Sequence, residues 1–247
     1  MLKISFRDDD LDEPLDSFLN YNLLMEKYGM PVSYAVIPSR VTKENAYFFC
    51  KLKEKQEKNK VELHKIEFLQ HGWSHTNYNP SNLKKAEFSI RDPNIEHLEI
   101  VKGYNKMREL FKNDFTPIFV PSFHSYNKNT WLSAKSAGCK GFSAKAGMPE
   151  YDGLKSIPAN ISFDMYENNI HQFRNTNDII REFLLLSKKL NTIIFLTHHK
   201  KISESELKEF EKVLYFLKLM KDKCKLKFVS FSELLNRDLL KMDLGGN

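Results

Sequence analysis

Four short runs of the chain concentrate residues able to move protons or bind a cation: Arg7-Asp8-Asp9-Asp10, His71-Gly72-Trp73-Ser74-His75, Pro121-Ser122-Phe123-His124-Ser125-Tyr126-Asn127 and Thr197-His198-His199. Of the eight histidines, four fall in the second and fourth runs and His124 in the third. An acidic triplet is ordinarily a solvated turn, or a helix N-cap beside Asp12. Like charges this close are costly, however, unless a cation or the adjacent Arg7 compensates. His71 and His75, four residues apart, have the spacing of a metal pair. His198 or His199, taken alone, would as readily hydrogen-bond within a core. Together the runs meet one chemical demand: two imidazoles and a carboxylate around a divalent ion with open positions. A second carboxylate then stands as base and a further histidine as acid.

Each run must be held by a regular element, and the hydrophobic pattern supplies one. Leu2–Arg7, Val32–Ile37, Ile66–Gln70, Pro117–Val120, Thr192–Leu196 and Leu226–Val229 read as strands, with weaker strands at Gly141–Ser143 and Lys155–Ile157. Helical spacing covers Leu15–Tyr28, Lys43–Asn59, Ile95–Phe111, Thr130–Ala137, Asp178–Leu190 and Ser203–Met220, with a last helix from Ser232. Ser203 and Glu206 form a capping-box pattern at one helix start. Strand alternating with helix predicts parallel strands joined by crossover helices, in a barrel or an open doubly wound sheet. Function in both gathers at the carboxyl ends of the strands, where the four runs lie. The first strand is followed by aspartates in place of a glycine-rich phosphate loop, which disfavours a dinucleotide fold.

Composition narrows the class further. The 247 residues, with 41 % hydrophobic and 13 % aromatic side chains, suffice for one large core, and residues 1–247 are read as a single domain. The net charge of +6 comes from 31 Lys and 7 Arg against 32 acidic residues. Readers of bases and phosphates favour the arginine fork, so this balance predicts no nucleic-acid partner. The apolar runs are too short to span a membrane. Met1–Asp10 carries charge at once and has no apolar core, which predicts the absence of a signal peptide and a cytoplasmic location. Cys50, Cys139 and Cys224 lie far apart and read as buried thiols, with no disulfide framework.

On Asp9-Asp10 after the first strand, HGWSH after the third and LTHH late in the chain, the sequence resembles the polysaccharide deacetylase superfamily (NodB homology, carbohydrate esterase family 4). The resemblance runs in the family's order from Phe6 to His199. It implies a distorted (β/α) barrel of about seven parallel strands with outer helices. It also implies a hydrolase removing acetyl groups from N-acetylated sugars with one divalent ion, most often zinc. Iron, cobalt, nickel and manganese also suit such donors. Carried over residue by residue, Asp10, His71 and His75 become metal ligands, Asp9 the general base and His198 the general acid. A backbone N–H near Ser122 would face the oxyanion. Asp8-Asp9 fits the paired motif nearly as well, and His199 remains an alternative to His198. Arg7, Asp8, His124 and His199 are supporting residues in this reading. Trp73, Phe123, Tyr126 and Trp131 are candidates for an apolar wall, or for ordinary packing.

The chain departs from the family pattern in two places. The strand before Pro121 lacks the arginine that orients the base, and Leu11 stands where glycine is usual. Arg7 could reach the carboxylates instead. The substrate class implied is an acetylated saccharide or another small N-acyl compound. Hydrolysis of a non-sugar amide or cyclic ureide is the alternative, and so is a saccharide-binding barrel without turnover, which the missing arginine favours.

Overall fold

The computed structural model describes residues 1–58, 65–167, 170–223 and 225–235. In chain order the elements are β1 (Leu2–Leu11), α1 (Asp16–Tyr28), β2 (Val32–Val36), α2 (Lys43–Lys58), β3 (Ile66–His71), α3 (Pro93–Phe111), β4 (Phe115–Val120), α4 (Lys128–Ala137) and β5 (Gly141–Phe142). There follow β6 (Lys155–Ser156), β7 (Ile161–Ser162), β8 (Asp164–Glu167), β9 (Ile170–Phe173), α5 (Thr176–Leu186), β10 (Thr192–Thr197), α6 (Glu204–Lys223), β11 (Leu226–Phe228) and α7 (Phe231–Leu234). The expected strands and helices are present. Asn59, Cys224 and the final helix beyond Leu235 lie outside the described residues. Cys139 is buried and Cys50 half-buried, both as free thiols. The Ser203–Glu206 capping box forms in both directions, at 2.7 and 3.3 Å.

The main sheet runs β6-β5-β4-β3-β2-β1-β10-β7, every pair parallel, with β11 beside the start of β1. Its curvature follows from one contact. β1 and β5 are four strands apart, roughly 19 Å in a flat sheet at about 4.8 Å per strand. Yet Arg7 of β1 donates from Nη1 to both the carbonyl and the hydroxyl of Ser143, just past β5, at 2.7 Å each. The sheet therefore curls into a half-barrel. The stretch 155–162 runs first along β5 and then along β10, through the bridge of Ala159 to Lys145, and so links the two arms.

Inside the curl, Ala35, Leu69, Ile118, Val120, Ile194 and Leu196 pack against Phe231 and Leu235. Outside, the helices cover Ile4, Phe6, Tyr34, Phe68, Ile193 and Phe195 in the largest core. Phe6 stacks on Phe195 at 5.1 Å, and Tyr21 stacks on Phe210 at 5.3 Å. Among the described residues no helix is long and apolar enough to cross a membrane. Two pieces escape the hydrophobic pattern: β7, of two residues, and the β8–β9 hairpin, whose four-residue strands show no polar–apolar alternation.

Candidate active site

Strand periodicity sorts the polar residues of β1 and β10 onto two faces. On β1, Phe6 and Asp8 look out to the helices, while Arg7 and Asp9 look into the barrel. Asp8 is paired with Thr197 across the parallel ladder, so Thr197 and His199 share the outer face. There the carboxylate of Asp8 accepts from the Thr197 hydroxyl at 2.8 Å and the His199 amide at 2.9 Å, and it pairs with His199 Nδ1. Tyr21 reaches the same hydroxyl at 2.8 Å, and Phe18 lies edge-on to the His199 ring. Asp8 and His199 are fully buried. Burial pushes the Asp8 carboxyl above its ordinary value, against the pull of His199. These two residues thus fasten β1 to β10 behind the site and do not line it.

The inner face carries a different set. The β1–β2 register shifts between Asp8 and Leu11, and Asp10 adopts φ 74°. This irregularity turns two consecutive aspartates toward one side, which a regular strand forbids. The left-handed residue is Asp10 itself. Leu11 resumes the strand and is buried in the outer core, so no glycine is needed there. Arg7 grips Asp9 at two points, an ion-pair contact of Nε with Oδ1 at 2.9 Å and a hydrogen bond from Nη2 to Oδ2 at 3.0 Å. Burial, the largest single influence, would raise the Asp9 carboxyl; the Arg7 guanidinium together with His71, His198 and His124 outweighs it and holds the group below its ordinary value. Arg7 thus reaches the carboxylates from β1, as expected of it in the sequence, and orients the aspartate two residues further on.

Asp10 Oδ1 lies 3.2 Å from His71 Nε2 and 3.0 Å from His75 Nε2. All the donor atoms of this trio fall within 4.8 Å of one another. His71 Nδ1 faces the Val120 carbonyl at 3.1 Å, which can only accept. That contact places the imidazole hydrogen on Nδ1 and leaves the Nε2 lone pair directed at a carboxylate oxygen. Two lone pairs at this separation repel unless a proton or a cation lies between them. A tetrahedral ion with bonds of about 2.0–2.2 Å sets its ligand atoms roughly 3.3–3.6 Å apart. The trio fits a divalent cation in donor type, in tautomer and in spacing. Burial opposes a charge on His71, but Asp9 and Asp10 raise its pKa, so protons compete for the same lone pair.

His198 follows Leu196 onto the inner face, and its Nδ1 meets Asp164 Oδ2 at 2.5 Å. The other oxygen of Asp164 meets His171 Nε2 at 2.7 Å. Burial would lower the His198 pKa, but Asp164 reverses this and raises it, favouring the imidazolium. His124 is the opposite case. Burial and then the Arg7 charge push it down to about 3, so its imidazole is neutral, and its buried Nδ1 has no hydrogen-bond partner. Phe123 lies over the His75 ring at 4.2 Å. Asp10, His75, Phe123 and His124 all have positive φ, so backbone strain concentrates around the trio.

The expected aromatic wall is only partly here. Phe123 belongs to the site. Trp131 is core, and Tyr126 packs on Phe142 with its hydroxyl at the Pro149 carbonyl. The Trp73 ring lies against Lys102 of α3, and Ser122 is buried beside Gly72. Asp164, His171 and Ser143 were not legible in the sequence: Asp164 and Ser143 act through partners far along the chain, His171 acts through Asp164, and none carries a motif of its own.

No family model matches the chain, and no curated protein matches it. Solved structures do. A Mycobacterium smegmatis protein assigned as a polysaccharide deacetylase superposes over 98 % of this chain and 91 % of its own, with TM-score 0.65 and 11 % identity. A family 4 acetyl xylan esterase from Clostridium thermocellum, solved with a cobalt ion, covers 94 % and 89 % at TM-score 0.58 and 12 % identity. The peptidoglycan deacetylase PdaC from Bacillus subtilis covers 98 % and 95 % at TM-score 0.55 and 13 % identity. The fold is that of polysaccharide deacetylases and family 4 carbohydrate esterases. The distorted barrel expected from the sequence is the barrel found.

His199→Ala leaves the Asp8 carboxylate buried without its partner. The expected loss is about 3–5 kcal/mol of folding stability, read by urea denaturation, with metal content per folded molecule unchanged.

Proposed function

We propose that the chain is a metal-dependent hydrolase that removes an acetyl group from an N-acetylated saccharide, with residues 1–247 as one catalytic domain. One observation carries the reading. The Asp10–His71–His75 trio shares the inner face of the barrel with an arginine-held Asp9 and an aspartate-held His198. The likeness in fold to deacetylases and esterases supports the same class.

In this reading Asp10, His71 and His75 would hold one divalent cation, zinc by the donor set. When bound, such an ion lowers the pKa of water and polarises a carbonyl oxygen. Asp9 accepts the proton of the attacking water. Arg7 keeps it ionised and fixes both its oxygens, so the carboxylate needs no rearrangement to act. A backbone N–H of the 122–124 turn donates to the oxyanion, and Phe123 ties that turn to His75. His198, kept protonated by Asp164, delivers a proton to the departing nitrogen, which would otherwise leave as a poor amide anion. Turnover is favoured over mere saccharide binding because Arg7 supplies what β4 lacks.

The direct test is metal content of the wild type and His71→Ala after identical dialysis, with acetate release from N-acetylglucosamine oligomers and from a non-sugar acetamide, and ring opening of a cyclic ureide. Near one equivalent and saccharide-dependent acetate in the wild type only are expected. No metal in the wild type after zinc reconstitution would sink the mechanism.

Two variants test the proton carriers. Arg7→Lys replaces a two-point grip by a single point charge. We expect kcat to fall about 10–100-fold by analogy with other orienting partners, with KM nearly unchanged. The acidic limb of the pH profile should move upward, since the group holding Asp9 below its ordinary 3.8 is weakened. Asp164→Asn removes what raises His198 above its ordinary 6.5, so the acid is lost at lower pH and the alkaline limb should move down. An alkaline limb that stays in place would remove His198 from the role of acid.

A further inference from the structure

The backbone of the loop that carries His71 and His75 has an unusual account of hydrogen bonds. The amide of Gly72 donates to the Val120 carbonyl at 2.9 Å, and the carbonyls of Gly72, Trp73 and His75 accept from Gln70, Ser39 and Arg40. The three remaining amides, of Trp73, Ser74 and His75, converge on a single atom. Glu87 Oε1 accepts from them at 3.3, 2.5 and 3.1 Å, and from the Ser74 hydroxyl at 3.0 Å. Successive N–H groups aimed at one point make an anion cradle, and here the anion is supplied by the chain itself.

Glu87 is fully buried and well anchored. Its own carbonyl accepts from Arg91 Nε and Nη2 at 3.2 and 3.1 Å, and Arg91 is in turn held by Glu99 and lies over the Tyr78 ring. The neighbouring Phe88 is in the core between α3 and β4. Gly72 makes room for this carboxylate. It has φ 54°, and a methyl group on it would overlap Glu87 Oε2 and Ser122 Oγ. His75, at the far end of the loop, is itself left-handed at φ 55°, a conformation that a histidine holds only when its surroundings impose it.

We propose that Glu87 is a positioning residue for the metal ligands: its carboxylate gathers the three amides, fixes His75 relative to His71 before any ion arrives, and so sets the affinity of the site. This rests on the metal reading of the Asp10–His71–His75 trio. Glu87 touches neither an ion nor the substrate, and its effect is exerted through the loop.

The experiment compares wild type, Glu87→Ala, Glu87→Gln and Gly72→Ala. Zinc affinity is measured by competition with a chromophoric chelator, and amide hydrogen exchange of residues 73–75 is measured in the metal-free proteins. Glu87→Ala should weaken zinc about 10–100-fold and speed exchange of the three amides about tenfold or more. Glu87→Gln, which keeps an oxygen in place, should recover most of the affinity. Gly72→Ala, with every ligand and Glu87 intact, should also weaken binding. Folded Glu87→Ala with wild-type affinity and wild-type exchange overturns the proposal. If that variant does not fold, wild-type affinity and wild-type exchange of residues 73–75 in Gly72→Ala overturn it. No zinc binding by the wild type would instead overturn the metal reading, while exchange in the metal-free protein still decides whether Glu87 holds the loop.

Discussion

The buried guanidinium of Arg7 is the interaction on which both the barrel and the site depend. A cation without access to water is very costly unless it is paired and hydrogen-bonded. Arg7 meets that condition only because the sheet curls far enough to bring Ser143 to one side of it while Asp9 lies on the other. Curvature and electrostatics are thus coupled. Flattening the sheet would leave a charge unsatisfied, and removing the charge would leave Asp9 as a buried carboxylate without its strongest stabilising partner. Ser143 passes the constraint on, because its hydroxyl donates to the Ile157 carbonyl at 2.6 Å in the stretch that links the two arms of the sheet.

β1 and β10 use the same pair of residue types for two purposes. On the outer face Asp8 and His199 form a sealed pair, under Tyr21 and Phe18, with no path to solvent. On the inner face Asp164 and His198 form a pair that is open on the barrel side. A carboxylate that orients an imidazole is structural when both are enclosed, and only an imidazole that a ligand can reach is placed for chemistry. Burial and strand parity decide which is which.

This explains how much could be read from the sequence. Parallel strands, crossover helices and the four polar runs at strand ends were legible, because hydrophobic periodicity is local and the runs interrupt it. Strand parity also separates Asp8 from Asp9 and His198 from His199, but only once the strand is known to extend through the aspartates. A run of charges reads as a turn, and β1 in fact continues to Leu11. Its extension depends on His199 and Lys200 lying opposite, and these are contacts between residues far apart in sequence. Asp164 and Glu87 escaped for the same reason. One sits in a hairpin of four-residue strands and the other in a polar stretch after His75, and neither environment has a periodic signature.

The three aspartates raise the question of how adjacent carboxylates are tolerated, and the answer bears on the chemistry. Each points to a different compensating group. Asp8 has His199 and two further donors, and Asp9 has the permanent charge of Arg7. Asp10 has only imidazoles. Since the Val120 carbonyl commits the His71 hydrogen to Nδ1, that ring offers Asp10 a lone pair unless it takes up a second proton. The two rings, wherever they take up a second proton, hold Asp10 well below its ordinary value even against burial, so it stays anionic and calls for positive charge. Two carboxylates of the triplet are therefore neutralised by the protein. The third faces only imidazoles, so its compensating charge is a proton or a cation, and the backbone strain at Asp10 and His75 goes with holding those donor atoms together.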